Sequence, residues 1–354
     1  MKIRLLGQKN DSGIGSHYGG FADSLMRVSG VNTLLELVDH TDHAAIKSVA
    51  HNSRDDDINI SFVCADMNRF FKGHNINWCV FESTRIPRGI FHTMRLHDIW
   101  IPSEWGRKVA IEQGIDANQI TVVHEGVNPD LYHPYLIPQT DKFRFLLIGK
   151  YEQRKSIDES IEAFYITYGN NPDVELVIKS DYFRNHVEKK QALEYKIASM
   201  NVNNIKLVWG LQTETELANL YRSANVFLFP TKAEGWGLPL IEAAATGLPL
   251  ITTFHSGQTE FLQDIRSSCV LLDYTLQPID CPETKEFYPS EDGNHGKWAV
   301  TTVEEIAIGI KTAYTNYASL RTRAIKNSAI IRSKYSWANS AMSALNVLKQ
   351  RGLL

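Results

Sequence analysis

Two carboxylates stand eight residues apart in Glu234-Gly-Trp-Gly-Leu-Pro-Leu-Ile-Glu242, across a glycine-punctuated turn that leads into a helix-forming run. Acids placed this way can accept hydrogen bonds from the vicinal hydroxyls of a polar ligand. Val226-Phe-Leu-Phe ahead of them reads as a short buried strand, Pro239 suits the first helical position, and Leu240 to Thr246 continues the helix as far as Gly247. That placement predicts Glu242 in the helix's first turn, where the positive end of the helix dipole favours a carboxylate. Glu234 is expected on the loop above, facing the same cleft. Either acid alone also reads as a solvated or capping Glu; the intervening Gly235, Trp236, Gly237 and Leu238 argue for a shaped turn.

A second cluster is basic. Gly149-Lys150-Tyr-Glu-Gln-Arg154-Lys155-Ser156 lies where a strand, Phe143 to Gly149, meets a helix, the place at which open α/β sheets bind ligands. Lys150 and Lys155, five residues apart, are spaced to clamp a group that carries concentrated negative charge. A solvated basic loop is the plainer reading of these lysines when they are considered alone.

Elements able to position both clusters alternate along the chain, strand-like then helix-like, which argues for parallel sheets covered by helices. The first run comprises Ile3 to Gly7, Thr33 to Val38, Ile58 to Val63, Trp78 to Glu82, Ile99 to Pro102 and Thr121 to His124. A proline-punctuated connector from Asn128 to Pro138 follows. The second run is Phe143 to Gly149, Val174 to Ser180, Ile205 to Gly210, Val226 to Phe229 and Leu248 to Thr252, with capping boxes expected at Ser156-x-x-Glu159 and Thr213-x-x-Glu216. Two Rossmann-like domains result, 1–138 and 139–330, joined near residues 134 to 142, with a final helix in 331–354. The Pro-, Asp- and Glu-rich stretch from Leu276 to Gly296 is longer than an ordinary connection and reads as a functional loop or an insertion.

Composition narrows the class. With 354 residues, 43% hydrophobic content and 22% charged, the chain can bury two cores. Its net charge is −3, and residues 1–138 hold 13 Lys and Arg against 16 Asp and Glu, so no basic nucleic-acid-binding domain is expected. Cys64, Cys79, Cys269 and Cys281 form no C-x-x-C pair and read as reduced structural thiols. No apolar stretch approaches a spanning helix and the amino terminus lacks a signal-peptide core, which predicts a cytoplasmic protein with peripheral contact at the inner face of a membrane left open. Asp55-Asp56-Asp57 reads as a solvated acidic turn, and no metal site is expected.

The pattern E-G-x-G-L-P-x-x-E-A-x-A-x-G-x-P resembles the nucleotide-sugar-binding signature of retaining GT-B glycosyltransferases of family 4, or group 1. Gly149-Lys150 to Lys155 is similar to that family's G-[RK]-x-x-x-x-K motif, with Lys at position 150 in place of the commoner Arg. The resemblance is most specific over residues 143 to 260 and implies two parallel-sheet domains facing an interdomain cleft. It also implies metal-independent transfer of a hexose from a UDP- or GDP-sugar to a hydroxyl of a saccharide or glycoconjugate, with no further cofactor. On this resemblance Lys150 and Lys155 stabilise the departing diphosphate, Glu234 orients donor-sugar hydroxyls, and Glu242 holds the ribose. Gly257, in His255-Ser-Gly-Gln-Thr-Glu260, faces the diphosphate or the donor sugar.

Gly210 and Leu211, after Trp209, hold the base or form an ordinary turn, as does Lys179-Ser180-Asp181. In the first domain Gly15, Ser16 and His17, within a glycine loop from Gly13 to Gly20, face the cleft. Glu82 and Arg85 line the acceptor side or form an exposed ion pair, and no motif chooses between His17 and His97 as a catalytic histidine. A Rossmann NAD-dependent dehydrogenase using the same glycine loop with Asp39, a catalytically silent nucleotide-sugar-binding protein, and a modified nucleic-acid base as acceptor are the competing readings.

Overall fold

The computed structural model of the chain describes residues 1–9, 13–28, 30–62, 71–134, 142–182, 186–288 and 290–354. Contacts divide the chain into two units: Met1–Asn128, Thr284–Gly296 and Lys334–Leu354 form the first, Pro129–Glu283 and Lys297–Ser333 the second. The connector proposed at 134 to 142 falls almost wholly outside the described residues, as does Cys64, and residues 284–296 group with the first unit.

In the first unit a six-stranded parallel sheet has the order β2-β1-β3-β4-β5-β6. Its strands are β1 (Ile3–Gly7), β2 (Leu35–Asp39), β3 (Ile58–Ser61), β4 (His74–Trp78), β5 (Asp98–Ile101) and β6 (Ile120–Val122). The helices between them are α1 (Gly13–Met26), α2 (His43–Asn52), α3 (Arg88–Met94) and α4 (Glu104–Glu112). Apolar strands buried on both faces, such as Ile-Arg-Leu-Leu-Gly in β1, are what a helix-covered parallel sheet requires. Ser103 caps α4, its hydroxyl accepting from the Gly106 amide at 3.1 Å.

β4 departs from the sequence expectation. β4 ends at Trp78, where the expected strand begins, because Asn75 and Asn77 hide its alternation; both are strand residues, in register with Asn59 and Ser61 of β3. Asn59 donates to Asn75 at 2.8 Å.

The second unit repeats the architecture, with strand order β12-β11-β10-β7-β8-β9. Its strands are β7 (Phe143–Ile148), β8 (Val174–Ser180), β9 (Ile205–Trp209), β10 (Val226–Phe229), β11 (Leu250–Thr253) and β12 (Cys269–Leu272). Helices α5 (Ile157–Tyr168), α6 (His186–Ser199), α7 (Glu214–Arg222), α8 (Leu238–Ala245) and α9 (Thr259–Ile265) connect them. Phe145, Leu147, Ile161, Phe164, Leu176, Ile178, Val226 and Leu228 are among the core residues packed between sheet and helices.

The stretch read as a long loop is ordered into an antiparallel pair, β13 (Thr275–Pro278) with β14 (Lys297–Val300), and a short helix, α10 (Pro282–Phe287). Then come α11 (Val303–Thr315), α12 (Tyr317–Lys334) and α13 (Trp337–Gln350). Ser336 caps α13, which packs on α1 in the first unit.

Candidate functional site

β10 delivers the chain into the turn that carries Glu234. This carboxylate is 5% exposed, and three donors converge on its Oε1: Arg154 Nη1 at 2.7 Å, Lys155 Nζ at 2.6 Å and Thr231 Oγ1 at 2.6 Å. Among the described residues no donor reaches its Oε2. Burial pushes the carboxyl upward, but the charges of Arg154 and Lys155 and the hydrogen bonds outweigh it and hold Glu234 below its ordinary value. Lys155 also lies below its ordinary value, pushed down by burial and by the Arg154 charge beside it. Its ammonium lies 4.9 Å from the centre of the Phe229 ring.

The backbone around Glu234 is fixed as closely as the side chain. Its amide donates to Ser256 Oγ at 2.8 Å, and the Gly257 amide donates to the Glu234 carbonyl at 2.9 Å. A Cβ on Gly257 would stand 1.9 Å from the Gly235 carbonyl oxygen. Glycine at 257 therefore serves a close approach of two protein loops. Gly237, at φ 102°, swings the chain into α8, and Trp236 between them is buried edge-on to Phe261 with ring centres 5.3 Å apart.

Glu242 is the fifth residue of α8 and not in its first turn, because the helix starts at Leu238. Its partner is Tyr221, whose hydroxyl donates to Glu242 Oε2 at 2.8 Å, and Tyr132 stands edge-on to Tyr221 at 5.8 Å. Burial pushes the Glu242 carboxyl up to about 8, with Glu214 adding to the rise and Tyr221, Tyr132 and Lys179 opposing it. The two acids of the signature thus occupy different surroundings: Glu234 is charged among cations, whereas Glu242 is set among tyrosines.

Lys150 lies partly exposed just past β7, its carbonyl accepting from the Glu152 amide at 2.8 Å. The capping box at Ser156 and Glu159 is not formed. Ser156 adopts φ 52°, its buried hydroxyl has no partner among the described residues, and Glu159 takes Lys232 at 2.9 Å instead. The box at Thr213 and Glu216 is formed. Gly210, at φ 100°, donates its amide to the Ser180 carbonyl at 3.0 Å, and Leu211 beyond it is 65% exposed.

In the first unit, Gly15, Ser16 and His17 lie within α1; the stretch read as a glycine loop is helix from Gly13 onward. Gly20 leaves room for Trp337, whose indole would lie 2.4 Å from a Cβ there. His17 is 3% exposed, edge-on to Trp78 at 4.3 Å and to Phe62 at 4.9 Å, and burial pushes it down to about 3. Its Nδ1 lies 3.5 Å from a carboxylate oxygen of Glu125, which is buried as well. His97, just before β5, is partly buried. Arg85 Nη1 donates to both carboxylate oxygens of Asp292, at 2.8 and 3.1 Å, and Glu82 is partly buried.

Arg154, Thr231, Ser256, Tyr221 and Tyr132 are the site's neighbours that the sequence reading did not select. Arg154 carried a signal, since it sits inside the basic motif; the others are joined to the acids only through the fold. Among the described residues no group of three or more His, Cys, Asp or Glu is placed to hold a metal ion, and no helix is long and apolar enough to cross a membrane.

The two parallel-sheet units define the fold as that of GT-B glycosyltransferases. Anabaena HepE, solved in complex with UDP and glucose, superposes with a TM-score of 0.74 at 13% identity, over 99% of this chain and 100% of that one. Residues 132–269, which carry Glu234, Glu242 and the basic motif, match the family of glycosyl transferases group 1. A probable sucrose-phosphate synthase of Thermosipho melanesiensis is 23% identical over 252 residues, 67% of this chain and 49% of that protein. The alpha-monoglucosyldiacylglycerol synthase of Acholeplasma laidlawii is 29% identical over 126 residues, 36% and 30% of the respective chains. The matches thus span about half, or less, of these curated relatives.

Proposed function

We propose that this chain moves a hexose from a nucleoside-diphosphate sugar, UDP- or GDP-linked, to a hydroxyl of a saccharide or glycoconjugate acceptor, with retention of configuration and without a metal ion. The observation that carries the reading is the asymmetry of Glu234: Oε1 is saturated by three donors while Oε2 is left to accept from a sugar hydroxyl. Lys155, already bonded to that carboxylate, and Lys150 supply positive charge to the diphosphate as it departs. Glu242 binds the ribose. In such a step the bond from the anomeric carbon to the diphosphate oxygen breaks, and the acceptor oxygen bonds to that carbon from the same face. The acceptor's proton passes to the leaving phosphate oxygen, so no protein nucleophile is required.

The cytoplasm is the compartment we assign, since activated nucleotide sugars are the proposed substrates. A thermal-shift screen against UDP, GDP, ADP and their sugars tests the proposal, because a ligand that binds only the native state raises its stability by about 2.7 kcal/mol at a hundred times its Kd. One nucleotide is expected to raise the melting temperature, and its sugar conjugate to be turned over with chelator present. If no nucleotide shifts the transition and no donor is consumed, the proposal is wrong. Tight binding of NAD(H), added to the screen as a separate ligand, with no affinity for UDP or GDP, would install the dehydrogenase reading in its place.

A further inference from the structure

We propose that Arg154 is a positioning residue for sugar transfer, acting through Glu234; the inference rests on the function proposed above. Its guanidinium is buried, 8% exposed, and works as a fork. Nη1 donates to Glu234 Oε1 and to the Ala233 carbonyl, both at 2.7 Å, and Nη2 donates to Glu152 Oε1 at 2.7 Å. The Arg154 carbonyl accepts from the Lys232 amide at 2.8 Å. One residue thereby ties the β7–α5 turn to the segment 231–234 at both main chain and side chain.

Two consequences follow for the chemistry. Gripping the carboxylate and the preceding carbonyl together fixes the rotation of the Glu234 side chain, so that Oε1 stays inward and Oε2 remains unpartnered. Arg154 also makes the neighbouring lysine expendable to Glu234. When a phosphate draws the Lys155 ammonium away, the carboxylate keeps one cation and the Thr231 hydroxyl, and it stays ionised. A lysine at 154 would carry the charge without the fork, since an ammonium is a point donor on a flexible stem.

The test uses the full chain with UDP-glucose and GDP-mannose as donors, reading kcat, KM, the pH profile of kcat and the melting temperature for wild type, Arg154→Met and Arg154→Lys. Arg154→Met is expected to lower kcat by about a hundredfold, the scale of a misplaced catalytic group, with donor KM changed less than about threefold. Its acid limb should move to higher pH, because Glu234 loses the larger of the charges that hold it ionised. Arg154→Lys should return the acid limb toward wild type while kcat stays low. Wild-type kcat and an unmoved acid limb in Arg154→Met, with only the melting temperature lowered, would overturn the inference and leave the proposed function standing. Where Arg154→Met does not fold, wild-type kcat in Arg154→Lys overturns it equally. A wild-type protein that turns over neither donor and binds neither UDP nor GDP would overturn the proposed function itself, and the inference with it.

Discussion

Replacing Glu234 by alanine removes the single oxygen on which Arg154, Lys155 and Thr231 converge. Breaking a buried ion pair from one side costs about 3–5 kcal/mol, because the partner is left charged in a poor medium. Arg154 keeps Glu152 at 2.7 Å, so the stranded group is Lys155, 7% exposed, and the lower end of the range applies. For a unit of this size about 3 kcal/mol corresponds to a fall of about 6–12 °C in melting temperature.

The deficit also depends on pH. Lys155 in the fold already titrates below its ordinary value of 10.5, and loss of Glu234 lowers it further. The unfolded chain then binds more protons than the native one as the pH rises through the folded value, so the deficit should shrink in alkaline buffer. Differential scanning fluorimetry at pH 7 and pH 9.5, on Glu234→Ala and on Glu234→Ala combined with Lys155→Met, measures this. The second substitution should restore about 1–2 kcal/mol, since an apolar group of similar length replaces an unpaired charge. A melting temperature within about 2 °C of wild type for Glu234→Ala, or strictly additive effects in the pair, would refute the buried triad as the organiser of this turn.

Glu242→Gln should flatten the pH dependence of stability between pH 5 and 9 in thermal melts. The folded-state value near 8 lies above the ordinary 4.5, so the wild-type contribution is whole below about 4.5 and is lost as pH rises through 8; parallel curves for the two proteins would exclude this. Ser156→Gly should raise the melting temperature by about 2–4 °C, because it relieves a left-handed serine, φ 52°, and removes a buried unpartnered hydroxyl at a combined worth of about 1 kcal/mol; a lowered melting temperature counts against it. Gly257→Ala puts a methyl group 1.9 Å from the Gly235 oxygen and should cost more than about 6 °C together with nucleotide binding, whereas a neutral result in calorimetry would show that the two loops separate freely.

How much of this was legible depends on whether the decisive interaction is local. β10, Val226–Phe229, is legible to the residue because an unbroken apolar run bounded by polar residues is a property of the segment itself, and β8, Val174–Ser180, because its apolar centre Leu176-Val-Ile178 is equally local. The Thr213 capping box was equally readable. Ser156 offers the same four-residue pattern, yet its backbone is held left-handed by the turn that buries Arg154 and Lys155, so the local signal loses to tertiary packing. α1 was hidden for a related reason. Its glycines suggest a loop, whereas Gly20 is required by a tryptophan more than three hundred residues away in sequence, Trp337. Residue types at the acids and lysines were visible, but that Glu234 would be saturated on one oxygen and Glu242 set among tyrosines depends on Thr231, Tyr221 and Tyr132, which no spacing rule connects to them.

The two sheets share a device that explains how the site can be placed at all. The second residue of the first strand in each is arginine: Arg4 in β1 and Arg144 in β7. Arg4 is in register with Glu36 of β2 and donates to it at 2.7 Å; Arg144 is in register with Glu175 of β8 and does the same at 2.7 Å. Glu175 is further paired with Lys206 of β9, and Arg4 with buried Asp57. A slip of one residue would carry each arginine to the opposite face of its strand, away from its carboxylate, at a cost of several kcal/mol for the unpaired charges. Such pairs add little net stability over an apolar substitute, but they make every wrong register expensive. Both sit at the amino ends of the strands. In the second unit the carboxyl ends, at Ile148, Ser180 and Trp209, lead into the turns that carry Lys150, Asp181 and Gly210, the turns proposed to meet the donor. Register is therefore locked at the end of the sheet opposite the candidate site residues, so those residues can vary while the strand that aims them cannot shift.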